Sequence, residues 1–178
     1  MRSVMRFGRS IPADEVFEAW TSRDLDRMRA AVGLQTNAVD RHCLLSVLVR
    51  VLYRERAEPG VLDELHRHAT QHIRELPDLL VAMRCHEALG REARAAKMRT
   101  RGQFEDAAAT EAIEPVDPYV ETDSLANTAL CQAGRFDDAI TMWQIAHSVG
   151  YINDDGLSWH HADIEKRRKR ASNPAQQH

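Results

Sequence analysis

Residues 119–154, set between Pro118 and Gly156, constrain the fold more than any other stretch of the chain. Leu125, Ala126, Ala129, Leu130 and Ala133 recur at the three- and four-residue spacing of one helical face. Gly134 then interrupts the pattern, as a short turn between helices requires where the backbone must take a positive φ. A second helix follows. It carries Phe136, Ala139, Ile140, Trp143 and Ala146 on one side and Met142, Ile145 and Val149 on another, so it expects neighbours on both. Ala126, Ala129 and Ala139 are small where the two helices would cross, which lets the backbones approach closely.

The turn "AGRF", the "DDA" that opens the second helix, and the Trp143 and Ala146 anchors together resemble the helix–turn–helix repeats of the tetratricopeptide and pentatricopeptide families. "ALCQAGRFDDA" followed by "SVGYINDD" is closer to the pentatricopeptide version, with Asn153 where that family usually has proline. The similarity covers about one fifth of the chain. It implies stacked helical hairpins, and a surface that binds peptides, proteins or RNA according to its exposed residues. In pentatricopeptide proteins the base-reading positions lie early on the first helix and at the end of the repeat, which by alignment are Ser124 and Asp154. An echo strengthens the repeat reading: "GQFEDA" at 102–107 matches "GRFDDA" at 134–139, an offset of 32 residues. The first copy, near 87–114, is degenerate. Glu111 and Glu114 stand in the places of Trp143 and Ala146, and Pro115 ends its second helix early.

The remaining chain reads as further helices. Pro12 opens one with Val16, Phe17 and Trp20 inward, and Thr21 with Asp24 reads as a capping box for the next, which carries Leu25, Met28 and Val32. Asn37 can cap the most apolar helix of the chain, where His42, Ser46, Arg50 and Arg54 form a single narrow polar stripe. After Pro59-Gly60 comes a helix with Val61, Leu62, Leu65, Ala69 and Ile73 inward. Pro77 restarts the chain into another with Leu79, Leu80, Met83 and Leu89, followed by a basic, solvated stretch at 91–101. Asp117-Pro118 is a helix start. Asp154 or Asp155 caps a last helix whose Leu157, Trp159 and Ile164 close the stack. No run calls for a strand. The expected fold is all-α, a short α-solenoid of stacked helical hairpins in one domain over residues 13–164. Residues 1–12 are a basic extension and residues 165–178 a basic, polar tail.

At 43% hydrophobic and 29% charged residues the chain has the balance of a globular protein. It has no run of eighteen uncharged apolar residues that would span a membrane. The net charge of −3 conceals a segregation. Residues 1–12 carry Arg2, Arg6 and Arg9 and no acid, which reads either as a mitochondrial presequence remnant or as a plain basic terminus. Residues 102–164 hold one base, Arg135, against 12 acids, and "KRRKR" at 166–170 follows at once. Cys43, Cys85 and Cys131 are odd in number, widely spaced and set among apolar helical positions. They suit a reducing compartment and the role of small buried hydrophobes.

Chemistry is sparse. His68 and His72 sit four apart, where two imidazoles could share a zinc, but no third ligand lies in register beside them. Cys43 and its neighbour His42 point to different faces of one helix. There is no phosphate-cradling glycine loop, HExxH or GxSxG, and nothing calls for a cofactor. The acidic pairs Asp137-Asp138 and Asp154-Asp155 sit at helix starts, where they complement the helix dipole.

The sequence therefore points to a non-catalytic scaffold or adaptor subunit that makes protein–protein contacts in a larger assembly. The placement it suggests is mitochondrial, in a ribosome or a respiratory-chain complex, and otherwise cytoplasmic. Asp123, Asp137, Asp138, Asp154 and Asp155 would meet a partner with a basic surface. The alternative is a pentatricopeptide-type RNA-binding factor using Ser124, Asp154, Lys166, Arg167, Arg168, Lys169 and Arg170, against which the acidity of 102–164 argues.

Overall fold

The structure is a computed structural model that describes residues 3–6, 9–114 and 120–173. It is all-α apart from one antiparallel hairpin of β1 (Ser3–Arg6) and β2 (Arg9–Pro12), in which Val4 faces Ile11 and Ser3 faces Pro12. These strands correct the expectation of a strand-free chain. Two segments of four residues each are too short to register as period-two patterning. Pro12 consequently ends a strand, and Asp14 starts the first helix by accepting from the Phe17 amide at 2.8 Å.

Eight helices follow among the described residues: α1 (Glu15–Ser22), α2 (Leu25–Ala31), α3 (Ala38–Arg54), α4 (Val61–Arg99), α5 (Phe104–Ala112), α6 (Thr122–Gln132), α7 (Phe136–Ser148) and α8 (Asp154–Ser172). Thr21 lies inside α1, its hydroxyl donating back to the Phe17 carbonyl, so the expected capping box is absent; Asp24 caps α2 directly. Asn37 caps α3 as the sequence implies. Leu44, Leu45, Leu48, Val49 and Leu52 of that helix are all fully buried.

The largest departure is α4, one helix of 39 residues where two helices and a basic stretch were expected. Pro77 lies inside it, where it removes the bond its amide would have donated to Ile73 and crowds that residue's carbonyl, a cost of about 3 kcal/mol. Burial of Leu76 and Leu79 on either side, roughly 1.5–3 kcal/mol each, offsets that loss. α4 meets α3 and α6 through His72 and α7 through Asp63, all in its first half, and α5 through Arg99 at its far end. One contiguous core runs from Val16 through Leu48, Leu65, Ile73, Leu130 and Met142 to Ile164.

The α6–α7 corner agrees closely with the sequence. Gly134 has φ 74°, and the Arg135 amide closes the helix end on the Leu130 carbonyl at 2.9 Å. The echo 32 residues earlier makes the same bond, Gln103 amide to Met98 carbonyl, with Ala107 buried as Ala139 is. Because a Cβ at residue 134 meets no atom but must sit in the left-handed region, Gly134→Ala is expected to lower stability by about 1 kcal/mol. A urea midpoint shift with unchanged slope checks this. The expected start at Asp117-Pro118 lies outside the described residues, and the helix described there begins at Thr122.

The C-terminal region differs in two respects. Asn153, not Asp154 or Asp155, caps α8, accepting from the Gly156 amide at 2.9 Å. α8 then runs to Ser172, so "KRRKR", expected in an exposed tail after the last helix, is the continuation of that helix and stays largely exposed. Cys85 is exposed, against the expectation that all three cysteines are buried; Cys43 and Cys131 are half-buried.

Candidate functional site

The beginning of α6 is fixed from two sides. The Arg50 guanidinium of α3 bonds the Glu121 carboxylate at 3.0 Å. Thr122 is buried against His72 of α4, with 2.7 Å between Oγ1 and Nδ1, and His72 Nε2 meets His42 Nδ1 of α3 at 3.1 Å. This Thr122–His72–His42 chain threads the interface of three helices. Burial pushes His72 down to about 3, and the adjacent His42 adds to the effect. Burial also lowers His42. Both rings are therefore neutral at pH 7, each offering one donor and one acceptor along the chain.

With its start held, α6 presents Asp123 to a groove of about 410 Å³ between α6, the α7–α8 connection and α8. Gly150, at φ 75°, ends α7 and lets Tyr151 turn back, its hydroxyl donating to Asp123 Oδ2 at 3.2 Å. The Ser124 amide donates to Asp123 Oδ1 at 2.6 Å, and the Ser124 hydroxyl to the Glu121 carbonyl. On the opposite wall His160 stacks on Trp143, ring centroids 3.3 Å apart and planes 11° from parallel, while the Trp143 indole donates to Asn127 at 3.3 Å. Trp159 meets the His160 ring edge-on at 4.8 Å and stands 65% exposed at the rim. Arg167 lines the end of the groove, donating to Asp163 at 2.8 Å.

The electrostatics follow from this geometry. Burial raises the Asp123 carboxyl above its ordinary range, partly countered by the Ser124 amide and the Tyr151 hydroxyl. Burial and then the Asp123 charge raise the Tyr151 phenol. Burial holds His160 below its ordinary value, with Asp123 and Asp163 pulling it back up. Asp163 has a guanidinium partner, whereas Asp123 is held by neutral donors.

The residues singled out by sequence divide sharply. Asp123 and Ser124 line the groove, and so does Arg167. Asp137 is taken by Arg168 at 2.5 Å, Asp138 by Arg135 at 2.6 Å and Asp154 by His147 at 2.8 Å. Asp155 is exposed in the first turn of α8. Acids and bases expected to reach separate partners thus bind each other, with Arg168 also lying over the Phe136 ring. Lys166, Lys169 and Arg170 stay exposed along another shallow depression on α8.

His68 and His72 do not converge. His72 serves Thr122 and His42, whereas His68 sits near Gln71 and 3.8 Å from Glu64. No group of three His, Cys, Asp or Glu side chains among the described residues could hold a metal ion.

Trp159, His160, Tyr151, Asn127 and Asp163 were missed as groove residues. One signal was available: Trp159 and Ile164 are five residues apart, about 140° around a helix, and cannot share a face, whereas His160 and Ile164 can. Ile164 is buried, so Trp159 turns outward, the reverse of its expected role in closing the stack. No helix among the described residues is long and apolar enough to cross a membrane. No family model, curated protein or solved structure matches the chain.

Proposed function

We propose that this protein is a non-catalytic scaffold or adaptor, a short α-solenoid of stacked hairpins that docks a partner protein in the α6–α8 groove within a larger assembly. The observation that carries the reading is the groove itself: an aromatic-walled concavity with an indole left at its rim, the anatomy of a recognition pocket. Its polar groups are engaged in positioning one another. Ser124 Oγ is committed to a backbone carbonyl and Tyr151 to Asp123, so neither supports a nucleophilic role. The Arg2, Arg6 and Arg9 terminus favours mitochondrial residence on composition.

Affinity isolation of the full chain from its native cell is the test, comparing the wild type with Trp159→Ala and with Leu34→Ala as a control at a distant exposed apolar residue. The Trp159 variant is expected to lose a discrete set of proteins by about tenfold or more, since a rim tryptophan is a typical energetic anchor. Identical recoveries from all three chains would sink the reading.

The exposed Lys166, Lys169 and Arg170, at the i, i+3 and i+4 spacing of one helix face, favour RNA contact as a second reading. It requires retention on immobilised RNA that falls steeply with salt and disappears when these three are changed to Gln.

A further inference from the structure

We propose that the groove between α6 and α8 is a receptor for an arginine side chain of the partner protein, its guanidinium paired with Asp123 and its plane laid on the Trp159 indole. The inference rests on the docking reading above and deepens it.

The titratable groups facing the groove are Asp123, Tyr151, His160, Asp163 and Arg167. Asp163 and Arg167 satisfy each other at 2.8 Å. His160 and Tyr151 are neutral at pH 7, as their shifts require. Both Asp123 oxygens accept, as those of a carboxylate do, and their donors are a hydroxyl and a backbone amide, neither of which carries a charge to offset the carboxylate's own. Burial works against that charge, so a cation entering the groove relieves a cost already present in the folded chain.

The shape narrows the cation. Trp159 lines the same groove as this carboxylate and is 65% exposed, and an indole face is the strongest aromatic partner for a cation. A guanidinium is planar, stacks on such a face and can donate two parallel N–H groups to a carboxylate; an ammonium does neither. Ile152, Thr128 and the Trp143–His160 stack offer apolar wall for the aliphatic stem.

The experiment uses the 15N-labelled full chain and the blocked tripeptide acetyl-Gly-Arg-Gly-amide, followed through the Trp159 indole N–H, which is assigned by its loss in Trp159→Phe. The arginine peptide is expected to shift that signal saturably, with a Kd on the order of millimolar for a single side chain, while the neutral citrulline isostere binds at least about tenfold more weakly. Asp123→Asn keeps one oxygen to accept from the Ser124 amide, and its NH2 can donate to the Tyr151 hydroxyl oxygen, so the fold should be preserved, checked by unchanged amide signals of buried α3 residues. It is expected to weaken the arginine peptide at least about fivefold.

Any of these results would overturn the proposal: equal binding of the citrulline peptide, full binding to Asp123→Asn, or no response of the indole at about 50 mM arginine peptide. A uridine hexanucleotide shifting the same signal in place of the arginine peptide would overturn it in favour of RNA. Loss of native partners by Trp159→Ala together with silence toward the peptide would leave docking standing and remove only the arginine.

Discussion

Replacing Trp143 with alanine is expected to destabilise the protein by about 3–5 kcal/mol, the upper end of what truncating a single core side chain costs. The indole is 2% exposed, belongs to the central core, carries the His160 ring against one face and donates to Asn127. Truncation leaves a cavity and removes the surface on which α8 rests. Against a typical total of about 5–15 kcal/mol the loss is severe. Urea unfolding gives its size, and amide exchange gives its place: α8 amides should lose protection before those of α3. A change below about 1 kcal/mol would mean the ring is not the anchor its packing indicates.

Acidification is expected to weaken the fold well before the carboxylates titrate. His72 binds a proton near pH 6.5 in the unfolded chain and near 3 in the folded one. Stability is therefore full above pH 6.5, falls as the pH drops through the window between these values, and stops falling from this source below about 3. At pH 5 the loss from His72 alone is about 2 kcal/mol relative to pH 8. His42, His66, His68 and His160 are lowered by burial as well and push in the same direction, whereas the raised Asp123 opposes them. Unfolding free energy measured from pH 8 to pH 5 should show this slope, and His72→Gln should flatten it even if that variant is less stable throughout. A flat profile in the wild type would mean that the Thr122–His72–His42 chain accepts a proton without breaking.

Local spacing made the α6–α7 corner legible. The apolar repeat, the small residues at the crossing and Gly134 all act within a few residues of one another, and in the structure Ala126, Ala129, Ala139 and Trp143 are buried as read. α4 was not legible, because Pro77 is a break by local rules and only burial of its neighbours against other helices overrides it. The charge pattern also has a part that local spacing does not show. Residues 102–164 are acidic and residues 166–170 basic, and the course of α8 to Ser172 brings Arg168 back onto Asp137 and Arg167 onto Asp163, so part of the segregation is paired within the chain. Of the groove, Asp123 and Ser124 were found and its aromatic wall was not. Reading Trp159 together with Ile164 ignored the 140° between them.

The unbroken course of α4 bears on any attempt at dissection. At about 1.5 Å per residue it spans close to 58 Å, with α3, α6 and α7 all meeting it between Asp63 and Glu75. A fragment ending after α4 would leave the stripe of Leu65, Ala69 and Ile73 partly bare, and one beginning after it would lack the surface that Leu130 and Met142 share. Neither piece would keep a closed interior. A nick within α4 should therefore melt the helices on both sides together, and a split reporter cut there should regain its signal only when both halves are supplied at once.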